Sequence, residues 1–246
     1  ATCGKIPFAA SFAMFAAGRA FEQVRNSVGY PHLNVKIAGS HAGISVGEDG
    51  ATHQCCEDIA LMRTIPGMVV LNPADHYEMQ AAVKAAAEYV GPVYIRLGRL
   101  AVESVNNNDD YTFEIGKGIT LRDGKDITII ATGLLVQEAV KAAKALEAAG
   151  IDARVLDIHT IKPLDTELVL KAAQETGRIV VAEEHNVIGG LGEAVSSYLS
   201  EVCPTPVTKI GIYDEFGHSG PAVDLLKEFG LSAENIEATV KKVLGK

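Results

Sequence analysis

Ser40-His-Ala-Gly-Ile-Ser-Val-Gly-Glu-Asp-Gly-Ala-Thr-His-Gln54 is the stretch on which the reading of this chain turns. Its 15 positions hold three glycines, two histidines, one glutamate and one aspartate. Just before it, Leu33-Asn-Val-Lys-Ile-Ala38 has the apolar, β-branched character of a short strand. A long glycine-bearing loop that follows a strand sits at the carboxyl end of a sheet, where open α/β sheets bind ligands. Such loops usually carry function. The alternatives are a solvated turn, or a metal site built from His41, Asp49 and His53, whose spacing is not that of a tight ligand motif.

Outward from this loop, strand and helix signals alternate in both directions. Ser11 to Val28 carries Phe12, Phe15, Phe21 and Val24 at helical spacing, which predicts a helix there. Glu57–Thr64 and Asp75–Tyr89 read as helices, and Met68–Leu71 and Pro92–Arg96 as strands. Asp75 is placed to cap the helix that it opens. After a polar run at Glu103-Ser-Val-Asn-Asn-Asn-Asp-Asp-Tyr111 the alternation resumes. Strands are expected at Ile127–Thr132, Ala153–Asp157, Ile179–Glu183 and Val207–Gly211. Helices are expected at Leu135–Ala149, Asp165–Thr176, Gly192–Glu201, Pro221–Phe229 and Ala233–Leu244. The continuously apolar strands call for parallel sheets covered on both faces. The fold class is therefore α/β, with two successive domains of mainly parallel sheet flanked by helices: residues 1–103, a linker at 104–117, and residues 118–246.

Bulk properties narrow the function. The chain has 246 residues, 22 Lys+Arg against 31 Asp+Glu, and a net charge of −9. No basic run is present to neutralise a phosphate backbone, so nucleic acid is not an expected partner. The longest uncharged stretch, Ile6 to Gly18, is shorter than the roughly 20 apolar residues that a bilayer requires, so no membrane partner is expected either. Four cysteines, with no CxxC pair among Cys3, Cys55, Cys56 and Cys203, suit a reducing cytoplasmic setting.

Several motifs together resemble one family. Ile6-Pro-Phe-Ala-Ala-Ser-Phe-Ala-Met-Phe15, the SHAGISVGEDGATHQ loop and Asn72-Pro-Ala-Asp75 resemble the pyrimidine-binding domain of transketolases. Ala131-Thr-Gly133, Asp157-Ile-His-Thr-Ile-Lys-Pro-Leu-Asp165, Glu183-Glu-His-Asn-Val-Ile-Gly-Gly-Leu-Gly192 and Phe216-Gly-His-Ser-Gly-Pro221 resemble the carboxy-terminal domain of the same family. The likeness covers nearly the whole chain and is strongest to the two-chain, split kind of transketolase.

The resemblance implies thiamine diphosphate as cofactor and transfer of a two-carbon ketol unit from a ketose phosphate to an aldose phosphate. It implies that Phe15 stacks on the aminopyrimidine ring and that Phe12 is a neighbouring pocket aromatic. Where a third pocket aromatic is often a tyrosine, this chain has Gly18. His41 is implied to contact the sugar near its phosphate, His53 to face the reacting carbonyl, Asp49 to accept from a donor hydroxyl, and Arg99 to hold the phosphate. A histidine can donate, accept and exchange protons near neutrality, and a guanidinium fork suits phosphate. Arg96 is a second cation nearby, with a strand-end salt bridge as its other reading. Gly189-Gly-Leu-Gly192 before a helix is a weak phosphate-cradle signal.

Two family elements have no match in this sequence. One is the segment that binds Mg²⁺ and the diphosphate, which implies a partner: the N-terminal transketolase subunit, with a homodimer of this chain between them. The other is the glutamate that contacts the pyrimidine. Glu22 and Glu48 are not in its position, so the first domain is expected to lack its opening strand and helix. The alternatives are a 1-deoxy-D-xylulose-5-phosphate synthase, a 2-oxoacid dehydrogenase β subunit and a non-catalytic assembly module. Against the synthase stand His41 and Leu97-Gly-Arg-Leu100; against the dehydrogenase stands Gly47-Glu-Asp-Gly-Ala-Thr-His-Gln54.

Overall fold

The computed structural model describes residues 1–106 and 111–246; of the expected connecting segment, residues 107–110 lie outside the described residues. The described residues form two five-stranded, mainly parallel sheets flanked by helices. In the first, strands β1 (Phe8–Phe12), β2 (Lys36–Ser40), β3 (Val69–Leu71) and β4 (Val93–Arg96) are joined by β8 (Thr160–Lys162) in the order β1-β2-β4-β3-β8. The second contains β5 (Ile119–Arg122), β6 (Ile127–Ala131), β7 (Ala153–Asp157), β9 (Ile179–Asn186) and β10 (Val207–Ile212), in the order β10-β9-β6-β7-β5. Among the described strands, β8 on β3 and β5 on β7 pair antiparallel and the rest pair parallel. Both are short strands that the apolar pattern does not reveal. Because β8 follows β7 in the chain, the second half of the sequence completes the sheet of the first.

The expected helix over Ser11–Val28 is corrected at its start. Phe12 ends strand β1, and helical backbone begins beyond it, with Met14–Arg19 and Val24–Gly29 in π geometry on either side of α1 (Phe21–Gln23). The reason is pairing across the sheet. Lys36 N–H donates to the Pro7 carbonyl at 2.9 Å, and β1 then runs in parallel register along β2, Phe8 opposite Lys36 and Phe12 opposite Ser40. An exposed edge strand of small and aromatic residues has weak local preference, and the free edge of β2 decides its conformation.

The remaining helices are α2 (Asp58–Thr64), α3 (His76–Glu88), α4 (Leu135–Ala148), α5 (Thr166–Thr176), α6 (Leu191–Val202), α7 (Ala222–Glu228) and α8 (Ala233–Leu244). Asp75 caps α3 by accepting from Glu78 N–H at 3.0 Å, and Asp165 caps α5 through Leu168 N–H. Strand β6 is buried along its whole length because alternate residues face different cores. Ile127 and Ile129 pack with α4 and α8, whereas Ile130 packs with residues of α5 and α6. The second of these cores also takes in Ile37, Ile59, Met62 and Tyr94, so one apolar cluster spans both halves.

The connecting segment is pinned where it is described. Val105 and Asn106 N–H both donate to Asp75 Oδ2 at 2.7 Å, the Tyr111 hydroxyl donates to Glu78 at 2.6 Å, and the Phe113 ring stacks on His159 at 4.2 Å. Among the described residues no helix is long and apolar enough to cross a membrane.

Candidate functional site

The sheet register brings the predicted residues to one edge. Phe12 lies opposite Ser40, and Gly39 lies opposite Arg96, so the carboxyl ends of β1, β2 and β4 are level. The chain leaves them at Met14, His41 and Arg99. His41 takes φ 56°, and Gly43, Gly47 and Gly50 also have positive φ, which folds the loop back around a 3₁₀ turn at Ile44–Asp49. Three glycines in this short loop thus reflect backbone geometry.

Four of the predicted side chains meet there. The Phe12 and His41 rings stack at 3.9 Å with planes 7° apart. His53 meets Phe15 edge-on at 5.5 Å and Phe12 edge-on at 6.1 Å, and the two phenylalanines are 6.0 Å apart. His41 Nδ1 pairs with Ser40 Oγ at 3.1 Å, and His53 Nδ1 with Thr52 Oγ1 at 3.0 Å. In both rings this leaves Nε2 as the nitrogen available to a ligand. Arg99 lies over the loop, donating to the Val46 carbonyl and at 3.4 Å to the exposed Glu48 carboxylate. Its side chain remains 42% exposed, so this contact can yield to an anion. Asp49 closes the 3₁₀ turn and is exposed.

Beneath the loop lies a charged support of which the sequence reading caught only one member. Arg96 forms a buried fork with Asp58, Nε to Oδ2 at 2.8 Å and Nη2 to Oδ1 at 3.1 Å, and Tyr94 also donates to Asp58 at 2.7 Å. Arg96 is therefore a structural cation and not a second phosphate ligand. Burial alone pulls the guanidinium down, but Asp58 more than offsets it and holds Arg96 charged. Burial, with Asp58 adding to it, pushes the Cys55 thiol far above its usual range, so this cysteine packs as a neutral group.

Other motifs resolve as structural. The amides of Leu191 and Gly192, at the start of α6, donate to the Glu183 carboxylate at 2.7 and 2.8 Å. The glycine cradle thus already holds an anion of its own chain. His159 is buried, and burial lowers it to about 4. His185 is buried too, while His218 pairs with Glu228 at 3.0 Å on the surface.

The four rings of the cluster present faces and edges that suit a planar heterocycle. Phe15 also lines a cavity of about 470 Å³ with Ala9, Ser11, Ala16, Gln23 and Val28, a space that Phe12, His41 and His53 do not line. The exposed Arg19 guanidinium sits 4.6 Å from the Phe15 centroid, a cation–π contact that the sequence did not suggest. Where the family often places a third aromatic, a Cβ on Gly18 would overlap the Met14 methyl, so Met14 fills that corner. Among the described residues no group of three or more His, Cys, Asp or Glu could hold a metal ion.

Comparison with known proteins shows the family. Residues 1–104 match the pyrimidine-binding domain of transketolase, and residues 116–236 match the transketolase C-terminal domain. A Methanocaldococcus jannaschii protein named as a transketolase C-terminal section is 50% identical over 100% of this chain and 78% of its own length. A 6-deoxy-6-sulfo-D-fructose transketolase subunit of a Clostridium species is 46% identical over 99% of this chain and 75% of its own. Among solved structures, a split-gene transketolase described as an inactive β4 tetramer superposes with a TM-score of 0.93 at 55% identity, covering 99% of this chain and 78% of that one.

Proposed function

The chain belongs to the transketolase family, and from that premise we propose that it is the subunit of a two-chain transketolase that moves a two-carbon ketol unit from a ketose phosphate to an aldose phosphate. The observation that carries this is the packing of Phe12, Phe15, His41 and His53 into one cluster, with Arg99 bonded to Val46 of the loop between the two histidines. Thiamine diphosphate, when bound, supplies the nucleophilic carbon and the electron sink of ketol transfer. This chain's part is to hold and orient. Phe15 offers a ring face to the pyrimidine, with Phe12 beside it. His53 faces the donor carbonyl and its C1 hydroxyl through Nε2 and exchanges a proton there. Asp49 accepts from a donor hydroxyl, and His41 and Arg99 hold the terminal phosphate, a task for which a guanidinium fork is well shaped.

The Mg²⁺ and diphosphate ligands come, in this reading, from a partner chain, the N-terminal transketolase subunit, bound to a homodimer of this one. The cysteines, free in the structure, suit a cytoplasmic enzyme. The relatives differ in substrate: one is named for a sulfonated fructose and another for apulose 4-phosphate. Both a phosphate and a sulfonate present an anion that Arg99 can take, so the anion's identity is part of the test.

Mixing the chain with a partner subunit, thiamine diphosphate and Mg²⁺ should give a new circular-dichroism band and ketose–aldose transfer, while the chain alone gives neither. Transfer by the isolated chain would overturn the partner assignment. Decarboxylation of pyruvate without ketol transfer would favour the synthase reading, and absence of both band and transfer would favour an assembly module.

A further inference from the structure

The loop that carries His41 and His53 is gripped from below by the other half of the molecule. Ser45 N–H, in the middle of the loop, donates to Glu184 Oε1 on β9 at 2.7 Å, across 139 residues of sequence. Ser45 and Glu184 are both buried. The approach is close enough that a Cβ at Gly43 would overlap the Glu184 carboxylate, and Gly43 has φ 86°. Glu184 is itself fixed: its carbonyl accepts from Arg96 Nη2 at 2.8 Å, and two residues on, Asn186 N–H donates to the Cys56 carbonyl at 2.8 Å. The far end of the loop is held the same way, by Gln54 Nε2 donating to the His218 carbonyl at 3.0 Å.

We propose that Glu184 is a positioning residue for the histidine loop: its carboxylate, delivered from the second domain, fixes the Gly43–Ser45 backbone and thereby the placing of His41 and His53. A backbone amide bonded to a buried carboxylate makes a charge-assisted contact, about twice as strong as a neutral one. Burial raises the Glu184 carboxyl, and the Arg96 guanidinium beside it acts in the opposite direction. The second domain, which contributes no side chain to the Phe12–His41–His53 cluster, acts here as the floor on which the site is built. The catalytic consequence rests on the ketol-transfer reading; the loop-fixing role does not.

The test uses the full chain, alone and assembled with its partner subunit, as Glu184→Ala and Glu184→Gln. In Glu184→Ala, amide hydrogen exchange at residues 43–47 should quicken about tenfold or more, with α6 and α8 unchanged, because only a local contact is lost. Glu184→Gln should stay close to the parent, since its amide oxygen still accepts from Ser45. In the assembled enzyme Glu184→Ala should lower kcat by about 10- to 100-fold, with KM much less affected, the signature of misplaced catalytic groups. Unchanged exchange at 43–47, or a rise that is equal in every element, overturns the proposal. Should Glu184→Ala not fold, Glu184→Asp withdraws the carboxylate by one methylene instead and must reproduce the local exchange; no change there also overturns it. Failure of the transfer reading would show separately, as an inactive parent enzyme whose exchange pattern still follows Glu184.

Discussion

The Phe12 ring lies flat on the His41 imidazole, 3.9 Å between centroids and 7° between planes. Phe12 comes from an exposed edge strand and His41 from a backbone position at φ 56°, so each ring limits the other's freedom. Such stacking contributes about 0.5–1.5 kcal/mol beyond simple burial. Phe12→Ala should therefore lower kcat/KM for ketol transfer about three- to tenfold in the assembled enzyme. Its melting temperature should hardly move, because Phe12 is only half-buried and at a sheet edge. Steady-state kinetics beside a thermal melt checks both; a large loss of stability with unchanged kinetics would mean that the ring serves packing alone.

Asp49 gives a test of substrate reading. It is exposed at the end of the 3₁₀ turn, so its removal should leave the fold intact. A donor with the chiral hydroxyl loses a hydrogen bond in Asp49→Ala, whereas hydroxypyruvate has none to lose. The variant should lower kcat/KM for hydroxylated ketoses by about 10- to 100-fold more than for hydroxypyruvate, the range expected when one specific hydrogen bond is removed. Equal losses on the two donors would remove Asp49 from hydroxyl recognition.

The junction between the halves predicts a pH dependence of stability. Burial raises Glu78 to about 7, with the neighbouring Asp75 adding to the rise, and Tyr111 and Ala74 donate to its carboxylate. Between the ordinary carboxyl range and about 7 the folded state thus binds a proton that the unfolded state has released, so Glu78 lowers stability as pH rises through that window. His159, lowered to about 4, works the other way: below its ordinary value the unfolded state binds the extra proton, and stability is lost as pH falls toward 4. The two slopes oppose each other. Glu78→Gln should leave stability rising more steeply from pH 4.5 to 6.5 than in the parent, and His159→Asn should leave it rising less; urea midpoints across that range measure both. Parallel profiles for parent and Glu78→Gln would show that Glu78 does not titrate differently on folding.

How much of this was legible in sequence depends on how local each cause is. The loop from His41 to Gln54, the strand before it and the buried β6 have local signatures; the structure forms all three, with the strand shifted from Leu33–Ala38 to Lys36–Ser40. Strand β1 was misread because Phe12 and Phe15 have helical spacing, whereas the pairing of Phe8–Phe12 with β2 is set by a distant edge. Strands β5 and β8 are short and antiparallel, and β8 finds its partner, β3, only once both halves are folded. Arg99, His53 and Phe15 are singled out by motif likeness. Nothing local marks Glu184 for its contact, because its partner Ser45 lies 139 positions away.

Asp58 shows the same non-local logic in energetic terms. It takes two hydrogen bonds from Arg96 and one from Tyr94, and all three residues are buried. Asp58→Ala would leave a buried guanidinium without its counter-charge and a tyrosine hydroxyl without its acceptor. Breaking one side of a buried pair costs about 3–5 kcal/mol, which for a chain of this size lowers the melting temperature by about 10 °C. Arg96 also donates to the Cys55 and Glu184 carbonyls, so the histidine loop should loosen with it. The double variant Asp58→Ala/Arg96→Met removes the stranded charge and should melt higher than Asp58→Ala alone, a coupling that thermal melts of the four proteins measure. If the double variant is instead less stable by the sum of the two single losses, the pair is not coupled and Arg96 is held by its carbonyl contacts alone.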